Sequence, residues 1–229
     1  MYKASQRFDI YRSVHKGLRA FMTEVLGAVG RMDPLDDAER TAVVAQVREL
    51  LAFCYGHLKK EETFVHPAME ARAPGSSQQT AGDHVAHLHC FKELETVVEA
   101  VEQAEVGSKI ESAAALYRSL GLFVGENFTH MHFEETANNE VLWRTHSDSE
   151  LAALEGAIVA SLSPQEKALG MRWMLPVLSP AERAQVLSAI ESTLPREAFA
   201  GVLAMLRPRL SDANWRKLTA QFEGPAIAA

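Results

Sequence analysis

A histidine followed four residues later by a glutamate occurs twice in this chain, each time with a second glutamate directly behind. The copies consist of His57, Glu61 and Glu62, and of His130, Glu134 and Glu135. Residues four apart on an α-helix lie on one face, so each copy presents one nitrogen and one oxygen to the same point. Two such helices facing each other would bind a pair of transition-metal ions.

Four long helical patterns must position these residues. The expected helices cover about 5–30, 36–72, 78–105 and 109–141, and proline or glycine punctuates the short segments between them. Short connections make successive helices antiparallel neighbours. The first 143 residues are therefore predicted to form an all-α domain, an antiparallel four-helix bundle.

The candidate ligands fall on the apolar seams of these helices. Seams with alternating spacings of three and four are typical of a bundle core. The second helix is predicted to bury Glu61, Phe64 and Ala68 after His57, and the fourth to bury Glu134, Ala137 and Val141 after His130. Buried carboxylates are costly unless they are paired or bind metal. The predicted metal ligands are His15, His57, Glu61, His84, His87, His130 and Glu134, with the choice between His84 and His87, or both, left open.

The pattern also predicts positions for several residues beside the proposed ligands. Glu62 and Glu135 lie about 100° round from the motif glutamates, which predicts supporting or solvated positions. Tyr11, one turn before His15, is a candidate to extend its hydroxyl toward the metal pocket. The remaining histidines lie off the seams and are expected at the surface; they are His66, His89, His132 and His146.

The chain changes character after the fourth helix. A helix is expected to open at Ser147 with a capping-type start and to run to about 161. A pattern then recurs every 16 residues, from Leu162 through Leu178 and Leu194 to Leu210, and it predicts four short helices. We therefore divide the rest into a C-terminal array of short helices, 144–224, and a loose end, 225–229.

Composition excludes several function classes. The net charge of −7 and pI near 5.7 argue against a nucleic-acid partner. No apolar run is long enough to span a membrane, and the first residues lack the apolar segment of a secretory signal. Two cysteines among 229 residues fit a cytoplasmic protein without a disulfide framework. The sequence is compatible with a homo-oligomer.

The order of these elements resembles the hemerythrin-like (HHE cation-binding) family over about residues 8–141. That family places one histidine, then His-x-x-x-Glu, then one histidine, then His-x-x-x-Glu on successive helices of a bundle. The resemblance implies that Glu61 and Glu134 bridge two iron ions and that the histidines fill terminal positions. Manganese or zinc would be substitutes for iron. The family binds dioxygen, nitric oxide or peroxide, or senses iron and oxygen.

Two departures separate the chain from the oxygen-carrying hemerythrins. Those proteins have His-x-x-x-His on the third helix and an aspartate five residues after the fourth-helix histidine, whereas here His84 and His87 are three apart and Glu134 follows His130 by four. We therefore expect a di-iron protein that binds or senses a small diatomic molecule or peroxide. The alternatives are a peroxide-disproportionating (catalase-like) oxidoreductase and a metal-dependent interaction protein acting through its C-terminal helices.

Overall fold

A computed structural model describes residues 7–220, and within that range every regular element is helical. The bundle helices are α1 (Arg12–Arg31), α2 (Asp37–Lys60), α3 (His66–Arg72), α4 (Gln78–Glu102), α5 (Lys109–Phe133) and α6 (Asn139–Thr145). The C-terminal helices are α7 (Asp148–Ala160), α8 (Pro164–Met174), α9 (Pro180–Glu191), α10 (Arg196–Leu206) and α11 (Asp212–Thr219). Within residues 7–220, none of these helices has the length and apolar composition that a membrane crossing requires.

The bundle consists of four rods, which we define as α1, α2 with α3, α4, and α5 with α6. Helix α1 packs on α2 and α5, and α4 packs on the same two helices, so the four surround one core. Helix α2 continues into α3 through a π-helical turn, Glu61–Val65, and α5 continues into α6 through a second one, Glu134–Asn138. Each π-helical turn begins at the glutamate of a His-x-x-x-Glu motif. Such turns insert one extra residue into an α-helix and are frequent at functional sites.

The π-helical turns correct the predicted seams beyond the motifs. The sequence pattern placed Phe64 and Ala68 in the core, but the structure buries Val65 and Met69 instead. The fourth rod shows the same displacement, because Asn138 and Leu142 are buried where Ala137 and Val141 were expected. An α-helix advances about 3.6 residues per turn, so one inserted residue moves each following seam by one position.

The first helix begins later than its periodicity predicted. Residues 5 and 6 lie outside the described part of the chain, and 7–11 are not helical. The carboxylate of Asp9 accepts hydrogen bonds from the backbone N–H groups of Tyr11 and Arg12, each at 3.2 Å. Asp9 thereby satisfies donors that have no intrahelical partner, and this fixes the start of α1.

A tight turn sets the position of α4 relative to α3. Gly75 has φ of 83°, a left-handed conformation that side chains disfavour. The carboxylate of Glu70 accepts hydrogen bonds from the backbone N–H of Gly75 at 2.6 Å and of Ser77 at 2.9 Å. This turn holds the beginning of α4, and with it the candidate ligand His84, against the end of the second rod.

The C-terminal helices pack directly on the bundle. The predicted capping start at Ser147 is confirmed as a capping box with Glu150, and α8 and α9 begin with equivalent boxes. Trp173 of α8 enters the bundle core and stacks on Phe21 with ring centroids 3.9 Å apart. Helices α8 to α11 also share a small core of their own. The predicted loose end, 225–229, lies outside the described residues.

Candidate metal centre

Six of the seven predicted ligands converge inside the bundle in two overlapping groups. One group is His15, His57, Glu61 and Glu134, and the other is Glu61, His84, His130 and Glu134. Within each group the ligand atoms lie within 4.8 Å of one another. The imidazoles face each other in pairs, with Nε2–Nε2 distances of 3.2 Å for His15–His57 and for His84–His130.

The two glutamates connect these groups. Glu61 and Glu134 each extend one carboxylate oxygen toward each group. The closest approaches are Glu61 Oε1–His57 Nε2 at 3.1 Å, Glu61 Oε2–His84 Nε2 at 3.4 Å, Glu134 Oε2–His15 Nε2 at 3.4 Å and Glu134 Oε1–His130 Nε2 at 3.4 Å. The arrangement is that of two carboxylates bridging two points, each of which also faces two imidazoles.

A pair of cations fits these donors. Glu61 Oε1 and both carboxylate oxygens of Glu134 are buried and have no hydrogen-bond partner among residues 7–220. Desolvated carboxylate oxygens without donors destabilise a fold unless a positive charge compensates them. Imidazole nitrogen and carboxylate oxygen suit iron, manganese and zinc. The fold therefore brings together buried carboxylate oxygens and imidazole nitrogens that a metal cation at each group would bind.

Hydrogen bonds outside the groups orient two of the imidazoles. Nδ1 of His15 lies 3.0 Å from Glu135, which also accepts from the Arg19 guanidinium. Nδ1 of His130 lies 3.2 Å from Asp83. A carboxylate at Nδ1 holds the hydrogen on that nitrogen, so the Nε2 lone pair faces the metal position. The supporting role expected of Glu135 agrees with these contacts.

Asp83 was not singled out from the sequence. It precedes His84 on α4, yet it contacts His130, which lies 47 positions away in the chain. No spacing rule within one helix signals a contact between two rods. Glu62 occupies a position related to that of Glu135, with Oε1 3.6 Å from Nδ1 of His84, beyond hydrogen-bond distance.

The carboxylates also set the protonation of the metal-free site. Burial lowers the pKa of His15, but contacts with Glu135 and Glu61 outweigh it and raise that pKa to about 9. Burial likewise opposes the effect of Glu134 on His130, whose pKa is raised to about 9. Both imidazoles are therefore in the doubly protonated, cationic form at neutral pH in the metal-free protein. A metal ion must displace one proton from each of them.

His87 lies beside the site but in neither group. It is buried, and its ring centroid is 4.8 Å from that of His130. Burial, followed by the neighbouring His130 and His84, lowers the pKa of His87 to about 4, so it is neutral at pH 7. A neutral imidazole retains a lone pair for coordination, and the assignment of His87 as a ligand stays a prediction.

Two aromatic residues flank the groups. His66 was expected at the surface, and that prediction is wrong: it is buried and stacks on His84 with ring centroids 4.9 Å apart. The π-helical turn before α3 explains the difference, because its extra residue shifts the seam so that Val65 and His66 face the core. Tyr11 is buried, and its ring centroid lies 5.1 Å from that of His15. Burial, together with the charges of Glu134 and Glu61, raises the pKa of Tyr11, which keeps the phenol neutral.

Comparison with known protein families gives one match. The model described as the hemerythrin HHE cation binding domain matches residues 7–141. No curated protein and no solved structure gives a significant match to the chain. The matched range contains every predicted ligand and both π-helical turns, and it ends before α7.

Proposed function

Because the chain belongs to the hemerythrin HHE cation-binding family, we propose that it is a non-haem di-iron protein that binds or senses an oxygen-related small molecule. Dioxygen, nitric oxide and peroxide are the candidate molecules. The observation that carries the proposal is the sharing of Glu61 and Glu134 between two groups of donors. One metal ion would explain four of the donors, whereas two ions explain all six.

The donor set favours iron and a small external ligand. Four imidazoles and two carboxylates are nitrogen-rich compared with the carboxylate-dominated sites of ferritin-like proteins. Each group offers four protein atoms, while iron commonly accepts about six ligands, so coordination positions remain for a small molecule. When bound, the iron pair would supply those positions and the electrons for reversible redox change.

The chain's own residues perform the remaining tasks. Glu61 and Glu134 would bridge the ions, and His15, His57, His84 and His130 would hold them from the sides. Glu135 and Asp83 orient two of the imidazoles. Burial of the site excludes bulk water, which strengthens each of these electrostatic contacts.

Ligand titration of iron-loaded protein tests the proposal. Oxidised protein is titrated with azide and reduced protein with nitric oxide, each followed by its absorption spectrum, with Glu134→Ala as the site-deficient control. We expect saturable spectral changes that Glu134→Ala lacks. An absence of spectral change in iron-loaded wild-type protein would contradict ligand binding. Rapid oxygen evolution from added hydrogen peroxide would instead identify a peroxide-disproportionating enzyme.

A further inference from the structure

One side of the metal centre carries a buried polar layer, which we define as Tyr11, His66, Thr80 and Asn138. The amide nitrogen of Asn138 donates toward the Tyr11 hydroxyl and the Thr80 hydroxyl, at 3.4 Å each. Oγ1 of Thr80 also lies 3.2 Å from Nε2 of His66. All four residues are buried, and they come from four separate places: the segment before α1, the helices α3 and α4, and the second π-helical turn. In a low-dielectric core each donor of such a network that lacks an acceptor is costly.

This polar layer extends along both donor groups. Tyr11 lies against His15 of the first group, and His66 lies against His84 of the second. An apolar cluster that includes Ile10, Val65, Met69 and Leu142 lies beyond the layer. In the opposite direction, residues one turn from the ligands belong to the apolar bundle core; examples are Leu18, Cys54 and Phe91. The layer therefore lines one end of the metal centre with polar groups, whereas apolar core residues line the opposite end.

Tyr11 has the unused donor of this layer. Asn138 donates to the hydroxyls of Tyr11 and Thr80. The Thr80 hydroxyl in turn donates a hydrogen bond to the carbonyl of Ser77 at 3.1 Å. The Tyr11 oxygen accepts from Asn138, and the Tyr11 hydroxyl donates no hydrogen bond to any of residues 7–220. A buried hydroxyl whose hydrogen has no acceptor destabilises the fold. A ligand that accepts this hydrogen would recover that free energy.

We propose that Tyr11 determines ligand specificity by donating a hydrogen bond from its hydroxyl to the small molecule held at the metal centre. The polar layer fixes the ring, because Asn138 holds the hydroxyl and His15 packs on its face. The favoured ligands are small anions or oxygen species with an acceptor atom beside the coordinating atom, such as azide or hydroperoxide. This inference rests on the proposed function and adds the residue that selects among ligands.

Azide binding to the oxidised, iron-loaded full-length protein tests the role of Tyr11. The variant is Tyr11→Phe, and the matched control is Tyr117→Phe, because Tyr117 is exposed and lies against Gly30, away from the metal centre. We expect the azide dissociation constant to rise roughly tenfold in Tyr11→Phe and to stay unchanged in the control. Iron content should be the same in all three proteins.

The infrared stretch of bound azide gives a second readout. In wild type and in Tyr117→Phe the stretch should shift on exchange into D₂O, and in Tyr11→Phe that shift should vanish. The wild-type measurement does not depend on a variant folding, and absence of the isotope shift there overturns the proposal. Equal azide affinity in Tyr11→Phe and wild type also overturns it. A visible charge-transfer band that wild type shows before azide is added and that Tyr11→Phe lacks overturns it as well, because Tyr11 would then be a metal ligand. Wild-type protein that takes up no iron would refute the proposed function itself.

Discussion

The chemistry of the candidate site depends on pairs of adjacent glutamates with different tasks. Glu61 and Glu134 lie in the histidine seams and face both donor groups. The residue after each is turned by about 100° and faces a histidine of a neighbouring rod instead: Glu135 contacts His15, and Glu62 approaches His84. Each dipeptide thus supplies one carboxylate shared by both donor groups and a second one directed at a histidine of a neighbouring helix.

Alanine substitutions should separate these two tasks. Glu61→Ala and Glu134→Ala remove a carboxylate that both donor groups share, and we expect them to abolish stable metal loading. Glu135→Ala removes the contacts with His15 and Arg19 but no proposed metal ligand, so metal affinity should fall by roughly tenfold to a hundredfold. The measurement is metal per chain after gel filtration at graded free metal, with Glu140→Ala, at an exposed position of α6, as the control. Equal losses in Glu134→Ala and Glu135→Ala would show that the bridging carboxylates are misassigned.

Proton release should accompany metal uptake. The pKa values of His15 and His130 in the metal-free protein are raised to about 9, above the ordinary value of about 6.5. Loading at pH 7 should therefore release about two protons, and metal affinity should rise as pH increases toward 9. In metal-free protein the raised pKa values add stability that is present below about pH 6.5 and lost as pH rises through 9. Calorimetric titration in buffers of different ionisation enthalpy measures the release, and metal uptake without protons would contradict the account.

At the scale of the elements, the π-helical turns determine what surrounds the site. Each turn begins at a glutamate shared by the two donor groups and shifts the seam beyond it by one residue. That shift buries His66 beside His84 and places Asn138 in the polar layer. The turns also bury Val65, Met69 and Leu142, which form the cluster beyond that layer.

Deleting Thr63 should restore α-helical phase to the second rod. Thr63 is exposed within the first π-helical turn, so its removal takes away no core atoms. Val65 and Met69 would then take the seam positions that Phe64 and Ala68 were predicted to hold in an unbroken α-helix, so they should stay in the core and the free energy of unfolding should be largely retained. Urea unfolding of metal-free protein measures this, with deletion of the exposed Gly107 in the loop before α5 as the control. A midpoint far below that of the Gly107 deletion would contradict the account of the turn as a one-residue insertion.

The sequence predicted the helical periodicity well up to each motif and failed just beyond it. Val47, Leu50 and Cys54 are buried as their spacing required, because local spacing and core burial agree along an unbroken α-helix. The inserted residue of a π-helical turn is energetically unfavourable locally and is stabilised by contacts between rods, so the spacing alone did not reveal it. The contact of Asp83 with His130 was unpredictable for the same reason.

At the scale of the whole molecule, the C-terminal array is part of the bundle's packing. Helix α8 lies on α1 so closely that a Cβ on Gly17 would be 3.1 Å from Cα of Met174. Lys16 of α1 also pairs with Glu182 of α9 at 2.7 Å. These contacts are made by residues after the range that the family model matches. The array therefore covers an apolar face of α1 while contributing no residue to either donor group.

Removing the Trp173 side chain should destabilise the molecule without changing its metal content. Trp173 is 5% exposed and stacks on Phe21, so Trp173→Ala should cost about 3–5 kcal/mol of unfolding free energy. Iron per folded chain should not change, since the proposed ligands all precede residue 141. Thermal unfolding and metal analysis of the same samples test this, with Leu194→Ala as a more exposed control. A folded variant that loses iron would show that α8 contributes to the site.

Metal analysis of protein purified without any chelator tests the central claim, a di-metal centre, most directly. The chain is expressed with ample iron, purified under air, and measured for all transition metals together with its absorption spectrum. Two groups of donors that share Glu61 and Glu134 predict about two ions per chain, mainly iron, and charge-transfer absorption of an oxidised iron pair. A content well below one ion per chain for every transition metal would contradict a di-metal centre.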